Sequence, residues 1–186
     1  MPIILNEQQI LNALPLVQTG LAKYLWIQHQ VSLGPSRIVA PDFQRRFNDF
    51  YKVRRNDDWR NAYYQLLVSK LHTGVDFHDA LKSMLDSIAQ YEASFVSKLV
   101  ATIHPSKPVI DGWVLKNVGL KLPAAYARNR FSGICDVYAS LELEFKAFLA
   151  SVRGRFLVSK FREFYPDADV TDVKMLDLVL WQTRPQ

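Results

Sequence analysis

Residues 94–119 read SFVSKLVATIHPSKPVIDGWVLKNVG, and this stretch carries the groups best placed for chemistry. An apolar helical pattern runs to His104, the chain turns through Pro105 and Pro108, and Asp111 stands where a new helix begins. A carboxylate at a helix N-terminus is kept ionised by the free backbone N–H groups and the helix dipole. Such a group can stabilise a developing cation or activate a water. Lys98, Lys107, Lys116 and Lys121 surround the turn, and a helix N-terminus suits an anionic partner. The plainer reading is that Asp111 only caps its helix. The residues alone leave both open.

A second group lies in DFQRRFNDFYKVRRNDDWRNAYY, residues 42–64. Arg45, Arg46, Lys52, Arg54, Arg55 and Arg60 are interleaved there with seven aromatics, a mixture suited to phosphate contact and base stacking. An amphipathic helix pair would produce the same pattern, with the aromatics in its core and the arginines paired to Asp42, Asp49, Asp57 and Asp58. The tight Lys52-Val53-Arg54-Arg55 run at a helix end is the part to test for phosphate contact.

Other chemistries find little footing. His29, His72, His78 and His104 are scattered without an i, i+4 pair, so no metal site is expected. Seven glycines spread along the chain make no phosphate-cradling loop, and there is no nucleophile elbow. Cys135, the single cysteine, excludes an internal disulfide and reads as a small buried hydrophobe.

The elements that must position these residues are helices. Apolar residues recur at threes and fours nearly throughout, no alternating strand pattern occurs, and helix is expected at well over half of the residues. Asn6 with Gln9 resembles a capping box for a first helix reaching about His29, kinked or split at Pro15. Gly34 and Pro35 mark a loop, and Pro41-Asp42 opens a helix whose Phe43, Phe47, Phe50 and Tyr51 share one face. Asp57 or Asp58 caps the next, which closes at His72-Thr73-Gly74; Asp76 caps another. Helices over Glu92–His104, from Asp111 to Gly119, from Asn129 to Val152, from Phe156 to Tyr165 and from Thr171 to Trp181 complete an all-α domain of eight to nine helices. The 186 residues, 49% hydrophobic with 11 Phe, 8 Tyr and 4 Trp, can bury a sizeable core in one domain, or in two lobes with a cleft near residues 94–121. The net charge of +5 and a pI of about 9.3 point to a polyanion partner. The N-terminus lacks a basic n-region, and no apolar run approaches the roughly 20 residues of a membrane span. A cytoplasmic monomer without membrane contact is the expectation.

The segment PVIDGWVLKNVGLKLP resembles the V-D-x-x-V-x-R-x-x-x-R-L-G stretch of the helix-hairpin-helix DNA glycosylase superfamily, over about 15 residues. Val109 or Ile110, Asp111, Val114 and Val118-Gly119 match, and Asp111 falls on the aspartate those enzymes need to cleave the glycosidic bond. The blocks FNDFYKVRRNDDWRNAYY, SFVSKLVATIHPSKPVIDGWVLKN and TDVKMLDLVLWQTR are similar to those of a group of small bacterial proteins placed near these glycosylases. A phage-defence glycosylase that removes a hypermodified cytosine resembles this group. The Gly-x-Gly hairpin that grips a DNA phosphate is absent, so the hairpin is degenerate, and the cysteines of an iron–sulfur cluster are missing. Lys98 stands closer to Asp111 than the family's Schiff-base lysine stands to its aspartate.

The resemblance implies a monofunctional glycosylase that excises a damaged or hypermodified base flipped out of double-stranded DNA, in repair or antiviral defence, with no cofactor. Asp111, with Lys98 as a second catalytic candidate, would do the chemistry. Lys52, Arg54, Arg55, Lys107, Lys116 and Lys121 would contact DNA, and Tyr51, Trp59 and Trp113 would line the base pocket. The alternatives are a catalytically silent DNA-binding or regulatory protein on the same scaffold, and a helical interaction protein with no nucleic-acid role.

Overall fold

The computed structural model describes residues 3–183. Among them it shows ten α-helices and no strand, with helix at 72%. The helices are α1 Glu7–Ser32, α2 Pro35–Ile38, α3 Pro41–Tyr51, α4 Asp57–Lys70, α5 Phe77–Ile88, α6 Ala93–Ile103, α7 Gly112–Val118, α8 Arg130–Ala150, α9 Val152–Phe164 and α10 Asp172–Gln182. None is long and apolar enough to cross a membrane.

Several helix starts follow from side-chain caps. Asn6 and Gln9 exchange reciprocal bonds, Gln9 N–H to Asn6 Oδ1 at 2.8 Å and Asn6 N–H to Gln9 Oε1 at 2.9 Å. Asp76, Asp111 and Thr171 cap α5, α7 and α10 as their positions predict. Four details differ from the sequence reading. The helix is continuous through Pro15, which lies on the exposed side, where water can serve the carbonyl its missing N–H leaves. The loop expected at Gly34-Pro35 holds the single-turn helix α2, with Pro35 at a first position that suits its fixed φ. Asn56, not Asp57 or Asp58, caps α4, accepting from Trp59 N–H at 3.1 Å. The helix expected to reach Val152 stops at Ala150, because Ser151 Oγ accepts from Gly154 N–H at 3.1 Å and starts α9 there.

The chain divides into two compact units: the segments up to Thr19 and from Pro105 onward form the first, and Gly20–His104 the second. Each has one helix enclosed along most of its length. In the second unit this is α6, buried from Val96 to Thr102 and packed against α4 and α5. Phe43, Phe47, Tyr63 and Tyr64 form an aromatic cluster in the same unit. In the first unit the enclosed helix is α10, buried from Lys174 to Leu180 and packed against α7, α8 and α9. Each enclosed helix carries a buried lysine, Lys98 and Lys174.

The close packing of α9 on the end of α8 gives a sharp test. A Cβ placed on Gly154 would lie 2.6 Å from Leu149 Cα and collide with the Phe148 carbonyl oxygen, both backbone atoms that cannot yield. Gly154→Ala should therefore destabilise by about 1–3 kcal/mol, against the usual helix gain of about 1 kcal/mol for replacing glycine. Gly112→Ala, where the added Cβ meets nothing within 4 Å, is the control. Urea midpoints of the two variants check this; equal midpoints would show that α9 can shift freely.

Candidate functional site

Asp111 is set in place by the turn before it. Thr171 Oγ1 donates to the Pro105 carbonyl at 2.6 Å, and Tyr138 Oη donates to the Pro108 carbonyl at 3.3 Å. Burial, reinforced by the negative charges of Glu142 and Asp177, pushes the Tyr138 pKa far up, so it stays a hydroxyl donor. Val109 and Ile110 are buried, which leaves Asp111 at the surface end of the turn, half-buried. Its Oδ1 accepts from Trp113 N–H at 2.8 Å, and no other hydrogen-bond or ion-pair partner of the carboxylate is present among the described residues. The helix it caps is tied to the end of α10: Asn117 Nδ2 donates to the Leu180 and Thr183 carbonyls at 3.3 and 3.1 Å. The arrangement is a fixed, solvent-reaching carboxylate with one oxygen committed and one available.

Four other candidates meet in the second unit. The Lys98 ammonium is enclosed; it donates to the Tyr51 carbonyl at 3.2 Å and lies 4.6 Å from the Phe95 ring centroid. Trp59 stacks on Tyr63 at 5.0 Å and donates its Nε1–H to Glu92 Oε1 at 3.0 Å. Arg55 reaches the same carboxylate at 3.0 Å. Tyr51 is buried against Phe47 and Phe50. Glu92, which the sequence reading missed, joins Arg55 to Trp59, and its only sequence signal is an acid placed immediately before an apolar helix. A buried carboxylate held by an indole N–H and a guanidinium is a paired charge of the kind that sets packing. Arg55→Ala should cost about 1–3 kcal/mol, because it strips the charged partner from buried Glu92. Lys52→Ala and Arg54→Ala, at exposed positions, should stay within about 0.5 kcal/mol. Urea titration of the three variants separates these outcomes, and a silent Arg55→Ala would mean that the Glu92 pair is fully relaxed by solvent.

Ion pairing sorts the basic residues. In the arginine-rich segment, Arg45 and Arg46 pair with Asp42, Lys52 with Asp49, Arg60 with Asp57 and Arg55 with Glu92. The Arg45 hydrogen bond holds Asp42 below the usual carboxylate range, and the Lys23 hydrogen bond does the same for Asp49. Lys107 pairs with Glu142 at 2.6 Å. Arg54, Lys116, Lys121 and Arg128 have no ion-pair partner among the described residues. Lys116 instead lies over the ring of Trp113, 4.5 Å from its centroid, and Trp113 is 38% exposed.

Cavities of about 490, 450 and 420 Å³ open elsewhere, against Arg155 and Arg162, against Trp26 and Arg46, and against Ile4 and Phe148. Asp111 lines none of these three. Asp76, His78 and Asp79 bring potential metal-ligand atoms within 4.8 Å of one another, but all three are exposed and Asp76 is already the cap of α5. Comparisons of the chain with protein-family models, with curated proteins and with solved structures return no match.

Proposed function

We propose that this protein is a monofunctional DNA N-glycosylase that hydrolyses the bond between deoxyribose and a damaged or hypermodified base. The observation that carries the reading is the Asp111 carboxylate, fixed through one oxygen by Trp113 N–H and open at the other. It begins a run, residues 112–135, that holds four basic residues and no acidic one. As the base departs with its bonding electrons, positive charge grows on the sugar. A carboxylate facing that sugar stabilises the charge and takes a proton from the water that adds to the anomeric carbon. The water's hydroxyl stays on the anomeric carbon, the departing base takes up a proton from solvent, and the carboxylate returns its proton to solvent, so the sum is base plus sugar hydroxyl from one water. The enclosed Lys98 ammonium, committed to the Tyr51 carbonyl, favours this hydrolytic route over attack by an amine. Tyr51 and Trp59 then serve the core, and of the three pocket candidates Trp113 is the one with exposed ring surface for a flipped base.

A second reading is a catalytically silent DNA-binding protein, favoured because Asp111 lines none of the three cavities described above. The two separate on one experiment. The full chain is incubated with duplexes carrying damaged bases and with DNA from phages with modified cytosines. Mass spectrometry then seeks a released base and alkali reveals abasic sites. Release of a base from any of these supports the enzyme, and DNA binding without release across the whole set supports the silent binder.

A further inference from the structure

We infer that the turn between α7 and α8 is a nucleic-acid contact in which the Tyr126 ring stacks on an unpaired base while Lys116, Lys121 and Arg128 hold the flanking phosphates. The inference rests on the DNA-binding half of the proposed function and not on its excision chemistry.

Tyr126 is 91% exposed, an unusual position for a ring that would bury a large apolar area in any core. It stands on a braced turn. Ala127 N–H bonds the Ala124 carbonyl at 3.1 Å, Arg130 N–H bonds the Ala127 carbonyl at 3.2 Å, and the Arg130 guanidinium reaches the Ala125 carbonyl at 3.5 Å. Pro123 packs closely on Gly133, where an added Cβ would lie 3.3 Å from Pro123 Cγ. A ring presented on such a support loses little freedom on binding.

Charge decides what the ring meets. From Gly112 to Cys135 the chain has Lys116, Lys121, Arg128 and Arg130 and neither aspartate nor glutamate. Lys116, Lys121 and Arg128 have no ion-pair partner among the described residues, so their charge is available to an external anion. The arginine-rich segment 42–64 carries more cations, but aspartates or Glu92 compensate most of them. A polyanion that also offers flat apolar rings fits this combination, and a nucleic acid with an unstacked base is such a partner. An anionic membrane fits it less well. Interfacial binding draws on the continuous apolar face of an amphipathic helix, whereas here the exposed apolar groups, Trp113, Leu122 and Tyr126, are divided between a seven-residue helix and the non-helical segment after it.

The test uses the full chain and three probes: a paired DNA duplex, the same duplex with one bulged 2-aminopurine, and vesicles containing phosphatidylserine. Wild type should bind the bulged duplex more tightly than the paired one and quench the 2-aminopurine. Tyr126→Ala should weaken binding to the bulged duplex by about 5- to 150-fold and abolish the quenching, while Tyr126→Phe keeps both. The triple variant Lys116→Gln, Lys121→Gln, Arg128→Gln should lower the slope of log affinity against log salt by about 2–3, since each phosphate contact contributes about 0.9. Wild-type failure to bind either duplex overturns the inference. So does wild-type binding by both variants, or loss confined to the vesicles. If Tyr126-dependent binding persists in a protein that excises no base, the enzyme reading fails and this inference stands.

Discussion

Asp111→Asn should yield a folded, DNA-binding protein whose rate of base release is about 100- to 1,000-fold lower. The substitution keeps the shape of the side chain and its Oδ1, which accepts from Trp113 N–H at 2.8 Å. Asparagine caps a helix about as well as aspartate, so stability should move by no more than about 1 kcal/mol. What disappears is the negative charge, the part that matters to an oxocarbenium-like transition state. DNA affinity should hold or rise, because a negative charge leaves the edge of a stretch whose only ionisable charges are basic. The comparison is made on a substrate that the wild type cleaves, with single-turnover kinetics for rate, urea titration for stability and a binding isotherm for affinity. Full excision by Asp111→Asn would falsify the mechanism and return the residue to capping alone. A stability loss well above 1 kcal/mol would show instead that the carboxylate's charge is part of the fold.

The largest stability effect is expected at the buried pair in α10. Lys174 Nζ and Asp177 Oδ2 are 2.6 Å apart, and both side chains are almost completely enclosed. Removing one member leaves the other charged, or neutralised at a cost, inside the first unit. Lys174→Ala or Asp177→Ala should each lose about 3–5 kcal/mol. Whole-domain stabilities are about 5–15 kcal/mol, so either change takes a large share and should lower the melting temperature by roughly 6–20 °C. Replacing both together, Lys174→Met with Asp177→Leu, removes the desolvation cost of two ions. It should therefore recover most of the loss. Thermal melts of the two single variants and the double variant form the cycle. Single losses under about 1 kcal/mol would mean that water reaches the pair, contrary to its enclosure.

The two lysines on enclosed helices show how far a residue type can be read without its surroundings. In sequence, Lys98 lies in the SFVSKLV run near an aspartate and invites a catalytic role; Lys174 lies in TDVKMLDLVLW and invites none. In the structure both are enclosed and both are satisfied, Lys98 by the Tyr51 carbonyl and Lys174 by Asp177. The i, i+3 spacing of Lys174 and Asp177 was visible in the sequence. Their burial was not, because every residue from 174 to 180 is covered, including faces that helical periodicity leaves undecided.

The sequence by itself determined the helices and most of their ends. Apolar spacing near 3.6 residues and caps such as Asn6, Asp76, Asp111 and Thr171 act within a few residues, so local reading reaches them. Where it missed, two local signals competed. Asn56 capped ahead of Asp57 and Asp58, and Ser151 ended α8 before the apolar pattern did. The local i, i+3 and i, i+4 pairs of Arg45, Arg46, Lys52 and Arg60 with Asp42, Asp49 and Asp57 were legible in the sequence, and tertiary structure alone decided the distant pairings. Arg55 meets Glu92 across 37 residues, Lys107 meets Glu142 across 35, and Lys98 finds the Tyr51 carbonyl across 47. A linear pattern specifies which face of a helix a side chain occupies, but not which distant group lies opposite. Partners across packing contacts neutralise Arg55 and Lys107, whereas Lys52 pairs locally with Asp49, and Lys116, Lys121 and Arg128 have no ion-pair partner among the described residues.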